Sequence, residues 1–251
     1  MKTKRIFSVF LLLFISAILV MVVSSRNDME TEVIIDGGTN LPVQDGGDAE
    51  DAVNILPTVN LPEINIESWE LTLVNADNPV KDVPIIAQIG TTGTYFDKRA
   101  VDAVLELRSA AREAGYRPYI NLAYLPSDSQ QYYFDLKAQE IANSEYPGED
   151  AKNKAALVVE RPGQSEHQLG LALDITDDFV IPYTNETISE NLLSWLTEHA
   201  CEYGFIQRYP AGKENITGYV QPYHFRYVGV EAAEYITKHG LCLEEFLALY
   251  K

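Results

Sequence analysis

One run of residues, Ser165-Glu166-His167-Gln168-Leu169-Gly170-Leu171-Ala172-Leu173-Asp174, sets the tightest limit on how this chain can fold. Asp174 lies between Leu173 and Ile175 in an apolar stretch that reads as a buried strand. Burying a polar group without a partner costs roughly 2–7 kcal/mol, and a charge costs more. A cation brought to Asp174 is the simplest compensation. His167 offers a neutral imidazole and Asp174 a carboxylate, ligand types that suit Zn²⁺. Their odd spacing would turn them to opposite faces of an unbroken strand. Gly170, between them, gives the chain a place to bend or bulge so that both reach one point.

A third ligand candidate stands near the C-terminus. Gln221-Pro222-Tyr223-His224-Phe225-Arg226-Tyr227 alternates as a strand does, with His224 and Arg226 on one face and Tyr223, Phe225 and Tyr227 on the other. His167, Asp174 and His224 make three protein ligands and leave a fourth position open. That is the pattern of a catalytic zinc site rather than a structural one. His199 and His239 fall on helical patterns with no partner motif and read as ordinary polar residues.

The block Glu160 to Ile175, E-R-P-G-Q-S-E-H-Q-L-G-L-A-L-D-I, resembles the VanY-type D-alanyl-D-alanine carboxypeptidases and their pattern S-x-H-x-x-G-x-A-x-D. The stretch Tyr203 to Gly229 is similar to the second metal segment of that family, and the resemblance runs from about Leu71 to the end of the chain. It implies Zn²⁺ bound by His167, Asp174 and His224. It also implies a substrate site that includes Ser165, Gln130, Tyr124 and Arg226, and a peptidoglycan stem peptide as substrate, cut with D,D- or L,D-specificity.

Two positions depart from the family pattern. Where the family carries Glu-Pro-Trp-His, this chain has Gln221-Pro222-Tyr223-His224. The Glu is the family's general base, and a Gln amide cannot take up a proton near neutral pH. Where the family carries Ser-Gly-Tyr-Arg-Ser ahead of a Gln, the stretch here is Leu122-Ala123-Tyr124-Leu125-Pro126, leading to Gln130. Leu125 thus replaces the Arg expected to stabilise the developing oxyanion. Losing a general base costs about 10²–10⁴ in rate, and losing one electrostatic donor about 10²–10³. Turnover is expected to be reduced. The alternative is a catalytically degenerate module that keeps zinc and binds a wall peptide or a partner protein. Glu166 and Glu160 are the nearest spare carboxylates that could replace the missing base.

Lys2, Lys4 and Arg5 precede an apolar run from Ile6 to Val23. As a helix this run spans roughly 27 Å, enough to cross a bilayer core. Residues 1–26 read as a single-pass membrane anchor with the following domain extracytoplasmic, or else as a cleaved signal that releases a secreted protein. Residues 27–67 form an acidic, Gly-containing stretch with no Lys or Arg, which reads as a disordered spacer. The formal net charge of −18 makes nucleic acid an unfavourable partner. Cys201 and Cys242 are the only cysteines, and either pairing or two core thiols suits them.

Residues 68–251 hold the zinc carboxypeptidase-like domain. The pattern predicts a helix capped by Asp97 and running to Ala114, a strand over 119–124, and a helix over 128–142. A mostly irregular stretch over 144–163 is followed by a strand over 169–175 and a helix capped by Ser189 and ended by Gly204. Strands over 205–208 and 219–227, joined by a loop over 213–218, and helices over 230–239 and 243–250 complete it. Helices and short strands without βαβ regularity indicate an α+β fold: one compact domain whose small, mostly antiparallel sheet carries the metal site.

Overall fold

The computed structural model describes residues 61–144, 148–180 and 184–251. The apolar run Ile6 to Val23 and the spacer as far as residue 60 lie outside the described residues. Among the described residues, no helix is long and apolar enough to cross a membrane.

Among the described residues, six strands form two antiparallel sheets. A hairpin pairs β1 (Ile86–Gln88) with β2 (Tyr95–Asp97). The main sheet is built from β3 (Tyr119–Leu122), β4 (Ala172–Thr176), β5 (Phe205–Tyr209) and β6 (Gln221–Tyr227), in the order β3-β4-β6-β5. Helices Val101–Glu113, Ser127–Ser144, Glu149–Ala155, Glu190–His199, Val230–His239 and Leu243–Ala248 surround it, together with the short helix Glu214–Thr217. The α+β expectation holds, with every strand pair antiparallel.

Strand alternation sorts the sheet into an oily face and a charged one. Leu173 and Ile175 of β4, Phe205 of β5 and Phe225 of β6 are buried against Val104 and Leu107 of one helix and Leu192 and Leu196 of another. Burying each such side chain contributes about 1.5–3 kcal/mol. Asp174, His224 and Arg226, the alternating residues, are just as buried but carry charge. A second cluster, including Leu71, Ile206, Ile236 and Phe246, seats the two C-terminal helices.

Several local expectations are corrected. Asp97 ends β2 instead of capping the next helix: its carboxylate accepts hydrogen bonds from the Arg99 backbone N–H and Nε, and Ala100 holds the cap position. The stretch expected to be irregular contains the helix Glu149–Ala155, where Ala151 and Ala155 are buried. A single turn of helix, Glu214–Thr217, occupies the expected 213–218 loop. Ser189 caps its helix as expected, its Oγ accepting from Leu192 N at 3.3 Å. Cys201 and Cys242 are both free thiols.

Candidate metal centre

The expected strand over 169–175 is two elements. Residues Glu166–Leu169 make a 3₁₀ turn, Gly170 takes a left-handed conformation (φ 67°), and β4 begins only at Ala172. This resolves the odd spacing: His167 reaches Asp174 from a turn and not along a strand. A side chain at Gly170 would also be crowded, since a Cβ there would lie 3.1 Å from the Asp97 backbone nitrogen. That nitrogen donates to Gly170 O at 2.8 Å, stitching the turn to β2.

The third ligand comes from strand pairing. Asp174 on β4 sits directly opposite His224 on β6, one pair along from Leu173 and Phe225. His167, Asp174 and His224 are all buried, and one ligand atom from each lies within 4.8 Å of the others. His167 Nε2 is 3.3 Å from Asp174 Oδ2, and His224 Nδ1 is 3.0 Å from Asp174 Oδ1. A tetrahedral zinc with bonds near 2.1 Å separates its ligands by about 3.4 Å, so these contacts have the scale of that polyhedron's edges.

Each imidazole is oriented from behind. His167 Nδ1 donates to Ala123 O at 2.7 Å, which leaves Nε2 to face Asp174. His224 turns Nε2 toward Glu166 Oε2 at 3.3 Å and presents Nδ1 to the centre. Such outer partners fix the tautomer and ring angle of metal-binding histidines. Burial alone would raise the Asp174 carboxyl, but His167 and His224 outweigh it and hold the group well below the usual carboxylate range. Burial likewise opposes charge on His224. Its hydrogen bonds to Asp174 and Glu166 prevail, and its pKa is pushed up to about 9. The centre thus calls for positive charge, and the N,N,O donor set fits Zn²⁺.

Glu166 is a hub that the sequence did not reveal. It is fully buried, and its Oε1 accepts from Arg208 Nε at 2.8 Å and Arg226 Nη1 at 2.9 Å. Burial would raise its carboxyl, yet Arg208, Arg226 and His224 hold it well below the ordinary range. Arg208 also grips Glu244 through both terminal nitrogens, at 2.8 and 2.6 Å. The expectation that Arg226 touches substrate is corrected. It is 0 % exposed, and its remaining donors go to the carbonyls of Glu70, Thr72 and Tyr227. No spacing rule links residues 166, 208, 226 and 244. Only the fold brings them together.

Ser165 is buried immediately before the 3₁₀ turn, and Tyr124 is half-buried, with its backbone N–H on Tyr95 O. Half-buried Leu125 donates its N–H to His167 O at 3.1 Å. Gln130 is buried, and its Nε2 donates to Glu160 O at 2.6 Å. Gln221 opens β6 opposite Tyr209, where the β5–β6 register shifts, and the Tyr209 ring lies 4.9 Å from that of His224. Burial pushes the Tyr223 hydroxyl up, and the charges of Asp174 and Glu160 push it further.

Residues 93–230, more than half of the chain, match the VanY family, D-alanyl-D-alanine carboxypeptidase. The chain belongs to the VanY family. A D-alanyl-D-alanine carboxypeptidase of Enterococcus faecalis (strain ATCC 700802 / V583) is 39% identical over 183 residues, 72% of this chain and 66% of that protein. The chain therefore spans just under two thirds of the length of this curated relative. Among solved VanY structures, a variant of the vancomycin-resistance D,D-pentapeptidase in complex with Zn(II) is 39% identical, with a TM-score of 0.63 over 72% of this chain and 99% of that one. VanYB in complex with D-alanine-D-alanine is 38% identical, with a TM-score of 0.65 over 73% of this chain and 100% of that one. The VanY frame gives the buried histidines and aspartate a context, because a relative of that fold holds Zn(II).

Proposed function

We propose that this chain binds Zn²⁺ through His167, Asp174 and His224 and removes the C-terminal residue of peptidoglycan stem peptides, as a carboxypeptidase of reduced turnover. The observation that carries the reading is the convergence of those three side chains in the VanY frame. Zn²⁺ bound there would polarise a peptide carbonyl and acidify water. Ser165, Gln130 and Tyr124 are the residues proposed to line the peptide site. Turnover is reduced because Gln221 supplies no base and Leu125 no positive charge.

The same two residues favour a second reading, a zinc-bearing module that binds the peptide without cutting it. The deciding experiment incubates the full chain, loaded with Zn²⁺, with a stem pentapeptide ending in D-Ala-D-Ala. Released D-Ala is followed by mass spectrometry and binding by calorimetry. Slow release supports the carboxypeptidase, whereas binding without release supports the module. If the peptide neither binds nor is cut, both readings fail.

We further propose that residues 6–23 anchor the protein in the cell membrane and that the acidic stretch from residue 27 acts as a spacer as far as residue 61, with the domain, into which Ile64 already packs, outside the cytoplasm. This rests on the basic flank and the apolar run. Fractionation of cells expressing the full chain, with and without residues 1–26, tests it: a chain that stays soluble and internal in both forms overturns the proposal.

A further inference from the structure

Both guanidinium groups at Glu166 meet the same oxygen. Arg208 Nε donates to Oε1 at 2.8 Å and Arg226 Nη1 donates to that atom at 2.9 Å. Oε2 is thereby left to His224 Nε2, at 3.3 Å. This division runs against the ordinary preference of arginine. A guanidinium set against a carboxylate favours two parallel hydrogen bonds, one to each oxygen. Such a fork on Glu166 would take Oε2 away from the histidine.

Each fork is engaged elsewhere. Arg226 gives Nη2 to the carbonyls of Glu70 and Thr72 and Nε to that of Tyr227. Arg208 gives Nη1 and Nη2 to the two oxygens of Glu244, at 2.8 and 2.6 Å, which leaves Nε for Glu166. Glu244 lies in the first turn of the helix Leu243–Ala248. That helix is firmly seated: Leu243 and Phe246 are fully buried in the cluster that holds Ile206, two residues before Arg208 on β5. The Arg208 side chain is buried too, so an unpaired N–H on it is costly and its donors must keep partners. With the charge of Glu244 removed, Glu166 is the carboxylate that remains on Arg208 among the described residues.

We infer that Glu244 is a positioning residue of the metal centre. By holding the fork of Arg208, it reserves Glu166 Oε2 for His224 and so keeps His224 Nδ1 aimed at Asp174. The inference rests on the zinc binding proposed above. Glu244 touches neither the metal ligands nor a peptide, and it acts through Arg208 and Glu166. Direct contacts carry the effect from the C-terminal helix to the ligand, each of them 3.3 Å or shorter.

The test uses the full chain, stripped of metal and then titrated with Zn²⁺ or Co²⁺, as wild type, Glu244→Gln and Glu245→Gln. Gln at position 244 still accepts a hydrogen bond from Arg208 but carries no charge to hold the fork. Glu245→Gln is the matched control. It lies in the same turn and loses its ion pair with Lys213, 2.8 Å away, while a Gln there still accepts from Cys242 N. Zinc affinity is read by competition with a chromophoric chelator, and ligand geometry from the visible absorption of the Co²⁺ form. Glu244→Gln is expected to bind zinc about 10-fold more weakly, with altered Co²⁺ bands. Glu245→Gln should stay within about twofold of wild type and keep its bands, because a partly exposed pair is worth little. Unchanged affinity and bands in Glu244→Gln overturn the inference, as does an equal loss in both variants, which would mark general damage to the helix. A Glu244→Gln chain that does not fold overturns it as well, since the residue would then serve stability alone. A wild type that binds neither ion overturns the zinc reading itself.

Discussion

Glu166 stands directly behind His224, its Oε2 3.3 Å from the ring nitrogen that faces away from the metal centre. The same carboxylate neutralises two buried guanidinium groups, so the orientation of a ligand and the stability of the core depend on one side chain. Glu166→Gln leaves Arg226 buried without its counter-charge and leaves Arg208 with Glu244 alone. A loss of roughly 3–5 kcal/mol in unfolding free energy is expected, with zinc affinity down about 10–100-fold. Urea denaturation and competition with a chromophoric chelator measure the two effects. Unchanged zinc affinity would sink the proposed role of Glu166.

Gly170 makes the turn that brings His167 to Asp174. Its φ of 67° suits glycine, and an added Cβ would meet the Asp97 backbone nitrogen at 3.1 Å. Gly170→Ala is expected to destabilise the domain by about 1–2 kcal/mol and to weaken zinc binding as His167 is displaced. A thermal melt and a zinc titration of the variant check this, and wild-type behaviour in both would contradict it.

On the proposed reading, a carboxylate placed at position 221 should raise the rate of hydrolysis. Gln221→Glu is expected to raise D-Ala release by about 10²–10⁴, with a further gain when Leu125→Arg is added. The gains need not multiply, since such residues act as a unit. Initial rates for the three proteins decide the matter: equal rates in wild type and the double variant would remove these two positions from the proposed account of turnover.

Zinc should stabilise the folded chain, because it satisfies a buried aspartate and two imidazoles that the unfolded chain does not assemble. At free Zn²⁺ about 100 times the dissociation constant, the gain is about 2.7 kcal/mol. Melting curves with and without chelator should separate accordingly. His224→Ala, which removes a ligand, should abolish most of that difference.

Cys242 is fully buried, and burial pushes its thiol up to about 11. Because the thiolate is the reactive form, a pKa this far above neutrality leaves the residue inert in the native protein at pH 8. Half-buried Cys201 should react with a disulfide reagent first, and Cys242 only on unfolding. Equal rates for both in the native state would contradict the packing around Cys242.

The strands were the most legible part of the chain. Leu173, Ile175 and Phe225 alternate with Asp174, His224 and Arg226, and period two fixes opposite faces whatever the rest of the fold does. The helix ends were harder. Asp97 looks like a cap, but the hairpin claims it and its carboxylate goes to Arg99. The helix Glu149–Ala155 carries too few apolar residues to announce itself, and of its two buried alanines Ala155 packs beside Phe134 and Ala138.

By itself the sequence pointed to His167, Asp174 and His224 as candidate ligands, to the buried strand and to a cation as the simplest partner for Asp174, because these readings rest on side-chain chemistry, local periodicity and motif. Tertiary structure alone decided that Asp174 pairs across from His224, that Glu166 is shared by Arg208 and Arg226, and that Glu160 meets Tyr219. Those partners lie tens of residues apart in the chain. Their meeting depends on strand register and on a left-handed turn at one glycine, which no local pattern of residues encodes.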